Sequence, residues 1–340
     1  MELKNKNMEI IAEIGQAHDG SLGIAHSYID ALSNTGVTCI KFQTHIAEAE
    51  SSEFEDFRVK FSYEDRTRFD YWKRMEFTID QWVGLKNHCE DKNIEFISSP
   101  FSNKAVDLLE KIGVKRYKIG SGEVTNNLML EKISKTRKPI LLSSGMSSYT
   151  ELDKTVDFIK SRGNDLSILQ CTTSYPSAPG EWGLNLIPEF IDKYNVPIGF
   201  SDHSGDIYAC LAATTLGASL LEFHAVFDKY MFGPDAKSSL TIQEIKKLID
   251  GVVQIKNDLS SLNNFKQDNS KFKVVKSIFE KSLAVNKNLK KNHILTFDDL
   301  EGKKPANKGV PASEFKSLIG RKINRDMSTW EFINLSDLIS

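Results

Sequence analysis

The sequence has no long apolar run, almost no net charge and no paired cysteine motif, and each absence removes a class of protein. Its opening, MELKNKNM, lacks the apolar stretch of a signal peptide, and no later run is long enough to span a bilayer. A formal net charge of -2 gives no global electrostatic case for nucleic acid or an anionic membrane. The four cysteines, Cys39, Cys89, Cys171 and Cys210, are scattered and form no CxxC pair. Cys39 and Cys171 lie inside apolar runs, so reduced, buried thiols in a cytoplasmic protein are expected. Hairpin signals are few, and no GxGxxG follows the first strand-like run, which argues against a dinucleotide-binding sheet.

What remains is an ordinary globular balance, 40% apolar and 26% charged, in 340 residues. Eight short apolar runs, at 9–14, 38–42, 94–98, 116–119, 139–142, 166–171, 196–200 and 219–223, alternate with segments of helical period. Within 150–162, Leu152, Val156 and Ile159 mark one helical face; Val106, Leu109 and Ile112 mark another within 103–112. Eight strands separated by helices predict a closed α/β barrel, a (β/α)8 TIM barrel, over residues 1–256. A polar stretch at 257–274 reads as a linker. Residues 275–340 read as a small, mainly-β domain, with strand-like pieces at 282–285, 294–297 and 330–334.

Polar groups gather where the strands finish: Glu13, Lys41 with Gln43, Ser98-Ser99, Lys118 with Ser121, Ser143-Ser144, Thr172-Thr173, Ser201 with His203, and Glu222 with His224. In a barrel these ends form one rim, and period-2 alternation aims each pair at one face. His203 and His224, at neighbouring strand ends, form a candidate divalent-metal site. Lys118, Ser121, Ser143, Thr173 and Ser201 form a candidate phosphate cradle, and Lys41 offers a second positive charge. Glu13 and Glu222 are candidates for general base or acid. The stretch from Phe42 to about Ile79, rich in aromatics and bases at 69–77, is either a cover over the rim or a packed satellite helix.

The motifs AEIGQAHDG (12–20), KFQTH (41–45), SPF (99–101), KIGSGE (118–123), LSSGM (142–146), CTTSYP (171–176), GFSDH (199–203), EFH (222–224) and GPD (233–235) together resemble those of the sialic acid synthase family. The tail, with KSLAV (281–285) and IGRK (319–322), is similar to that family's antifreeze-like (SAF) domain. The resemblance implies condensation of phosphoenolpyruvate with an N-acylated mannose-type sugar, N-acetylmannosamine or 2,4-diacetamido-2,4,6-trideoxymannose, with C–O cleavage and phosphate release. It implies Mn2+, with Mg2+ or Co2+ as alternatives, on His203 and His224. It places Lys41 on the carboxylate of phosphoenolpyruvate and Lys118, Ser121, Ser143, Thr173 and Ser201 on its phosphate. Gln43, Glu123, Tyr175 and Asp235 match sugar-binding positions, with Glu13 or Glu222 activating water.

Two departures from the family pattern stand out. Ala17 precedes His18 where asparagine is usual, and His18 is either a sugar contact or packed behind the site. KKP at 303–305 replaces a Lys-Arg-Pro whose arginine reaches the sugar site of a partner subunit, and lysine cannot reproduce the guanidinium fork. No cation of the barrel mouth is assigned to the far end of the sugar. A domain-swapped homodimer in which Lys304 caps the partner's site is therefore expected. The competing expectation is a metal-dependent aldolase, or a phosphoenolpyruvate-using synthase acting on a phosphorylated sugar.

Overall fold

Short runs of branched and aromatic residues become strands here, and helical-period segments behind Ser or Thr caps become helices. The computed structural model describes residues 8–59, 61–261, 266 and 268–339. In chain order the first elements are β1 (Glu9–Gly15), α1 (Leu22–Leu32), β2 (Cys39–Thr44), α2 (Ala47–Glu50), α3 (Arg68–Met75), α4 (Ile79–Asp91) and β3 (Glu95–Pro100). There follow α5 (Asn103–Ile112), β4 (Tyr117–Ile119), α6 (Asn127–Ser134), β5 (Ile140–Ser143), α7 (Tyr149–Ser161), β6 (Leu166–Cys171) and α8 (Leu186–Tyr194). The barrel part ends with β7 (Ile198–Asp202), α9 (Tyr208–Thr215), β8 (Leu220–Val226), β9 (Leu240–Thr241) and α10 (Ile242–Leu259). Strands β1 to β8 pair in sequence order, all parallel, and β1 pairs β8 to close the cylinder. This is the (β/α)8 barrel the sequence predicts.

Several strands run past the end that hydrophobicity marks, because their polar ends stay in the ladder: Gln43 pairs Ser99, and Asp202 pairs Phe223. Helices α3, α4, α7 and α10 each begin with a reciprocal capping box, from Thr67–Asp70, Thr78–Gln81, Ser148–Glu151 and Thr241–Glu244.

Period-2 alternation divides the barrel interior into layers. Ile11, Cys39, Ile97, Leu141, Leu169 and Leu220 form one buried apolar layer. Two residues further along the same strands stand Glu13, Lys41, Ser99, Ser143, Cys171 and Glu222, all buried. The apolar layer is thus a floor, and the polar layer above it faces the only end of the barrel where strands finish.

The stretch between β2 and α4 satisfies both readings offered for it. Ala47, Tyr71, Trp72 and Met75 pack with Phe57, Phe61 and Phe69 as a satellite core. The same segment walls the mouth, as shown below.

Residues up to Ser260 form one compact unit and those from Ser261 a second. Helix α10 runs into the stretch expected as linker, and a 3-10 turn (Ser270–Phe272) with α11 (Lys273–Phe279) fills its far end. Residues 262–265 and 267 of that stretch lie outside the described residues. In the second unit β10 (Ser282–Val285) pairs antiparallel with β11 (Leu300–Lys303) over a core including Leu283, Val285, Leu295, Ile323 and Ile333. The pieces at 294–297 and 330–334 are not strands. Ile294 and Phe332 make isolated bridges only, since Phe297 opens a 3-10 turn capped by Thr296 and Trp330 has φ of 71°.

Candidate active site

The strand ends enclose a cavity of about 500 Å³. Its lining includes, of the barrel residues singled out from the sequence, Glu13, Lys41, Gln43, Lys118, Ser121, Glu123, Ser143, Thr173, Tyr175, Ser201, His203, Glu222, His224 and Asp235. Lys304 belongs to the second unit, where its Nζ lies 4.5 Å from the Phe279 ring centroid. His18 does not line the cavity. Its ring lies 4.8 Å from that of Phe77, its Nδ1 accepts the Gly20 N–H, and burial pushes its imidazole down to about 3. It is a neutral packing residue.

At the base of the cavity two lysines and two carboxylates alternate. Lys41 Nζ lies 2.9 Å from Glu13 and 3.1 Å from Glu222, and Lys118 Nζ lies 3.5 Å from Glu222. Ser201 donates to Glu222 at 3.0 Å. Burial opposes ionisation of both carboxylates, but Lys41 and His224 hold Glu13 well below the usual range, and Lys118 and Lys41 hold Glu222 down. Lys41 is likewise opposed by burial, yet its two carboxylates raise it to about 12. Lys118 goes the other way: burial and the adjacent Lys41 outweigh Glu222 and lower it. The two ends of the Lys118–Glu222 pair thus differ, and we assign the firm charge to Glu222, which two lysines and a hydroxyl face.

Beside this cluster, Ser121 and Ser143 share a hydrogen bond of 2.8 Å, and the buried Thr173 hydroxyl has no partner among the described residues. The hydroxyls of Ser121 and Thr173 both press towards Gly145, where a Cβ would collide with each. Only glycine leaves that cradle open.

The imidazoles of His203 and His224 stand with centroids 5.3 Å apart. His203 Nδ1 lies 2.8 Å from the Thr172 carbonyl, so it carries a proton, and Nε2 is the nitrogen left to meet another partner. His224 Nε2 is 3.3 Å from Glu13. Burial alone would raise the Cys171 thiol and lower the His203 imidazole. Their mutual approach, Sγ to Nδ1 3.8 Å, reverses both, to about 7 and about 9. Of the two carboxylates adjacent in sequence to the histidines, only Glu222 faces the cavity. Asp202, one residue out of phase, accepts from the Ser204 N–H and hydroxyl and holds a turn.

Glu9, Cys39 and Glu95, at the opposite strand ends, also bring potential ligand atoms within 4.8 Å of one another. The Arg116 guanidinium already bridges Glu9 and Glu95 there, 2.9 Å from the latter, so this is an ion-paired floor of the barrel.

The mouth holds residues that were given no role from the sequence. Arg58 lies 4.1 Å over the Tyr175 ring and 2.7 Å from Asp235, so the barrel unit does supply a cation at the outer end, contrary to expectation. Tyr175 in turn stacks on His203 at 4.1 Å. Gln16, His45, Glu50, Glu55, Arg68 and Trp72 also line the wall. His45 continues the inward phase of Lys41 and Gln43, so alternation pointed to it; Arg58 sits in a loop with no period to read.

A floor of apolar residues below a cavity where charged and imidazole groups converge from the strand ends defines a barrel enzyme. The NeuB family model matches residues 28–264, and the chain belongs to the NeuB family. It is 32% identical over 334 residues to N,N'-diacetyllegionaminic acid synthase of Campylobacter jejuni, covering 96% of this chain and 99% of that one. It is 32% identical over 318 residues to human N-acetylneuraminate-9-phosphate synthase, covering 92% and 88%. Among solved structures it is similar to the N-acetylneuraminic acid synthetase of Leptospira borgpetersenii, with a TM-score of 0.70 and 29% identity over 81% of this chain and 95% of that chain.

Proposed function

We propose that this chain is a nonulosonic acid synthase, condensing phosphoenolpyruvate with N-acetylmannosamine or a 2,4-diacetamido-2,4,6-trideoxymannose and releasing phosphate. The observation that carries this reading is the pair of buried lysines, Lys41 and Lys118, beside the hydroxyls that surround Gly145. Two buried lysines above an apolar barrel floor suit a small molecule with two anionic groups, whose charge would favour the protonated form of both. The synthases named among its relatives support the same reaction class.

The donor set beside the lysines fits a divalent cation. His203 presents Nε2, His224 stands next to it, and the buried Glu222 Oε2 has no hydrogen-bond partner among the described residues. Bound there, Mn2+ (or Mg2+ or Co2+) would supply Lewis-acid polarisation of the acceptor's aldehyde oxygen. Lys41 holds the carboxylate of phosphoenolpyruvate, and Lys118, Ser121, Ser143, Thr173 and Ser201 hold its phosphate. C3 then forms the new bond to the aldehyde carbon, water adds to C2, and the C2–O bond to phosphate breaks. As the lysines turn to the substrate's anions, Glu13 and Glu222 lose their nearest cations and regain basicity. Either is placed to take the proton of the adding water.

Gln43, Glu123, Tyr175 and Asp235 face the acceptor. Glu50, Glu55, Glu123 and Asp235 make the outer wall acidic, and Arg58 and Arg68 there are already paired with Asp235 and Glu55. Among the described residues this favours an uncharged acceptor over a phosphorylated one. A homodimer in which Lys304 of one copy reaches the other's cavity, an antifreeze-like role for the second unit, and a cytoplasmic setting complete the proposal. The four cysteines, free and buried, agree with that setting. The deciding experiment is phosphate release from phosphoenolpyruvate with each N-acyl sugar, a phosphorylated hexosamine, and no acceptor. Release with none of the N-acyl sugars overturns the reading.

A further inference from the structure

His45 lines the cavity without a role in the reading above, and its surroundings hold it on several sides. Its ring is sandwiched between Trp72, at 3.9 Å and 17°, and Phe101, at 4.6 Å and 12°. Its Nδ1 lies 2.6 Å from the Glu50 carboxylate, with both side chains at most 7% exposed. The other oxygen of Glu50 accepts the Ile46 N–H at 3.2 Å, so the carboxylate is itself anchored to the chain. A carboxylate on Nδ1 puts a proton there and turns Nε2 towards the cavity.

On that side stand two amides. His45 Nε2 is 3.0 Å from Gln16 Nε2 and 3.2 Å from Gln43 Oε1, and Gln16 also donates to Gln43. Gln43 in turn donates through Nε2 to Glu13 at 2.5 Å. With His45 Nε2 and Gln43 Oε1 both acceptors, the link between them is the Gln16 amide, and an unbroken hydrogen-bonded chain runs from Glu50 through His45, Gln16 and Gln43 to Glu13, the carboxylate that stands against His224. Without a fixed acceptor at Nε2, the Gln16 amide is free to turn over and present its oxygen to Gln43, leaving Glu13 alone to orient the Gln43 amide. The stacking, the anchored carboxylate and the paired amides have a shared effect: they hold Gln16 and Gln43 in a single orientation.

We infer that His45, held by Glu50, is a positioning residue that sets the amide faces of Gln16 and Gln43 against the hydroxyls of the acceptor. This rests on the synthase reading above, in which Gln43 contacts the sugar. The chemistry recognised is that of a polyol: one amide oxygen and one amide N–H offered at fixed positions, close to the carboxylate of Glu13. Among the described residues the lysine and hydroxyl cradle for phosphoenolpyruvate makes no hydrogen bond to His45, so the two substrates separate the roles.

His45→Phe keeps the aromatic sandwich and removes both ring nitrogens. The acceptor KM is expected to rise about tenfold to a hundredfold, as for a misplaced substrate-positioning group, with the KM for phosphoenolpyruvate unchanged. Glu50→Gln, which still offers an oxygen to Nδ1–H, is expected to keep most of the wild-type acceptor KM, whereas Glu50→Leu should match His45→Phe. If H45F does not fold, the Glu50 pair carries the test, since it leaves the stack intact. An acceptor KM unmoved in H45F and Glu50→Leu, or a rise shared equally by both substrates, overturns the inference. A wild type that accepts no N-acyl sugar removes the synthase reading and this inference together, and that result is seen before any variant is made.

Discussion

Lys118 Nζ stands 3.5 Å from the Glu222 carboxylate within the barrel, with each side chain only 2% exposed. Removing either partner leaves a buried charge less well matched, at a cost of several kcal/mol in stability. Lys118→Met is expected to lower kcat/KM for phosphoenolpyruvate by about 2–4 kcal/mol, as for a deleted electrostatic contact in a dry site. The double variant Lys118→Met/Glu222→Gln should recover melting temperature without recovering turnover. Unchanged kcat/KM in the single variant would place Lys118 outside the substrate site.

His203→Ala and His224→Ala should each abolish most binding of Mn2+, measured by equilibrium dialysis, and most turnover, while circular dichroism stays native. Chelator-treated wild type should be inactive and recover with Mn2+. Full turnover without a divalent ion sinks the metal assignment.

Gly145→Ala puts a methyl group against the Ser121 and Thr173 hydroxyls. The prediction is a raised KM for phosphoenolpyruvate with the acceptor KM little changed, read from initial rates. Equal effects on both substrates would mean that the methyl group disturbs the whole mouth.

Asp299 in the second unit sits 2.8 Å from both Lys287 and His293 and accepts the Thr296 N–H. Burial opposes its charge, but these partners hold it well below the ordinary aspartate value. A carboxylate lowered by folding contributes stability above its unfolded pKa, near 3.9, and loses it as pH falls from there. Hydrogen exchange at the amides of Leu283, Val285 and Ile333 should therefore speed up below about pH 4, beyond the change in intrinsic exchange. Asp299→Asn should start less protected and lack that part of the pH dependence. An identical pH profile in the variant would remove Asp299 as the cause.

For the second unit as a cap, the measurement is complementation. Chains ending at residue 274, mixed with full-length His203→Ala chains, should recover activity once heterodimers form, because tail and metal site then come from different copies. Folded heterodimers without recovery would confine the tail to its own subunit.

Much of the site was legible because a barrel strand has one simple rule. Once Ile11, Cys39 and Leu220 are read as inward, Glu13, Lys41 and Glu222 must be inward as well, and so must Gln43, His45 and His224. The same rule disqualifies Asp202, whose nearness in sequence to His203 says nothing about the face it occupies. Arg58 and Glu50 escaped because their positions depend on how a satellite core packs on the rim. Nothing in their local sequence encodes that packing. In the second unit, single bridges and 3-10 turns replace ladders, so strand-like composition at 294–297 and 330–334 carried no strand.

The register Glu13↔His224 joins the first strand of the barrel to the last. Two groups of the reacting centre thus meet only across the seam, after the entropy of closing almost the whole barrel sequence has been overcome. An incomplete chain, still being synthesised or clipped before β8, holds its lysines and serines but has no seam. Substrate processing is therefore a property of the finished cylinder alone, and turnover is itself a readout that the last strand has docked.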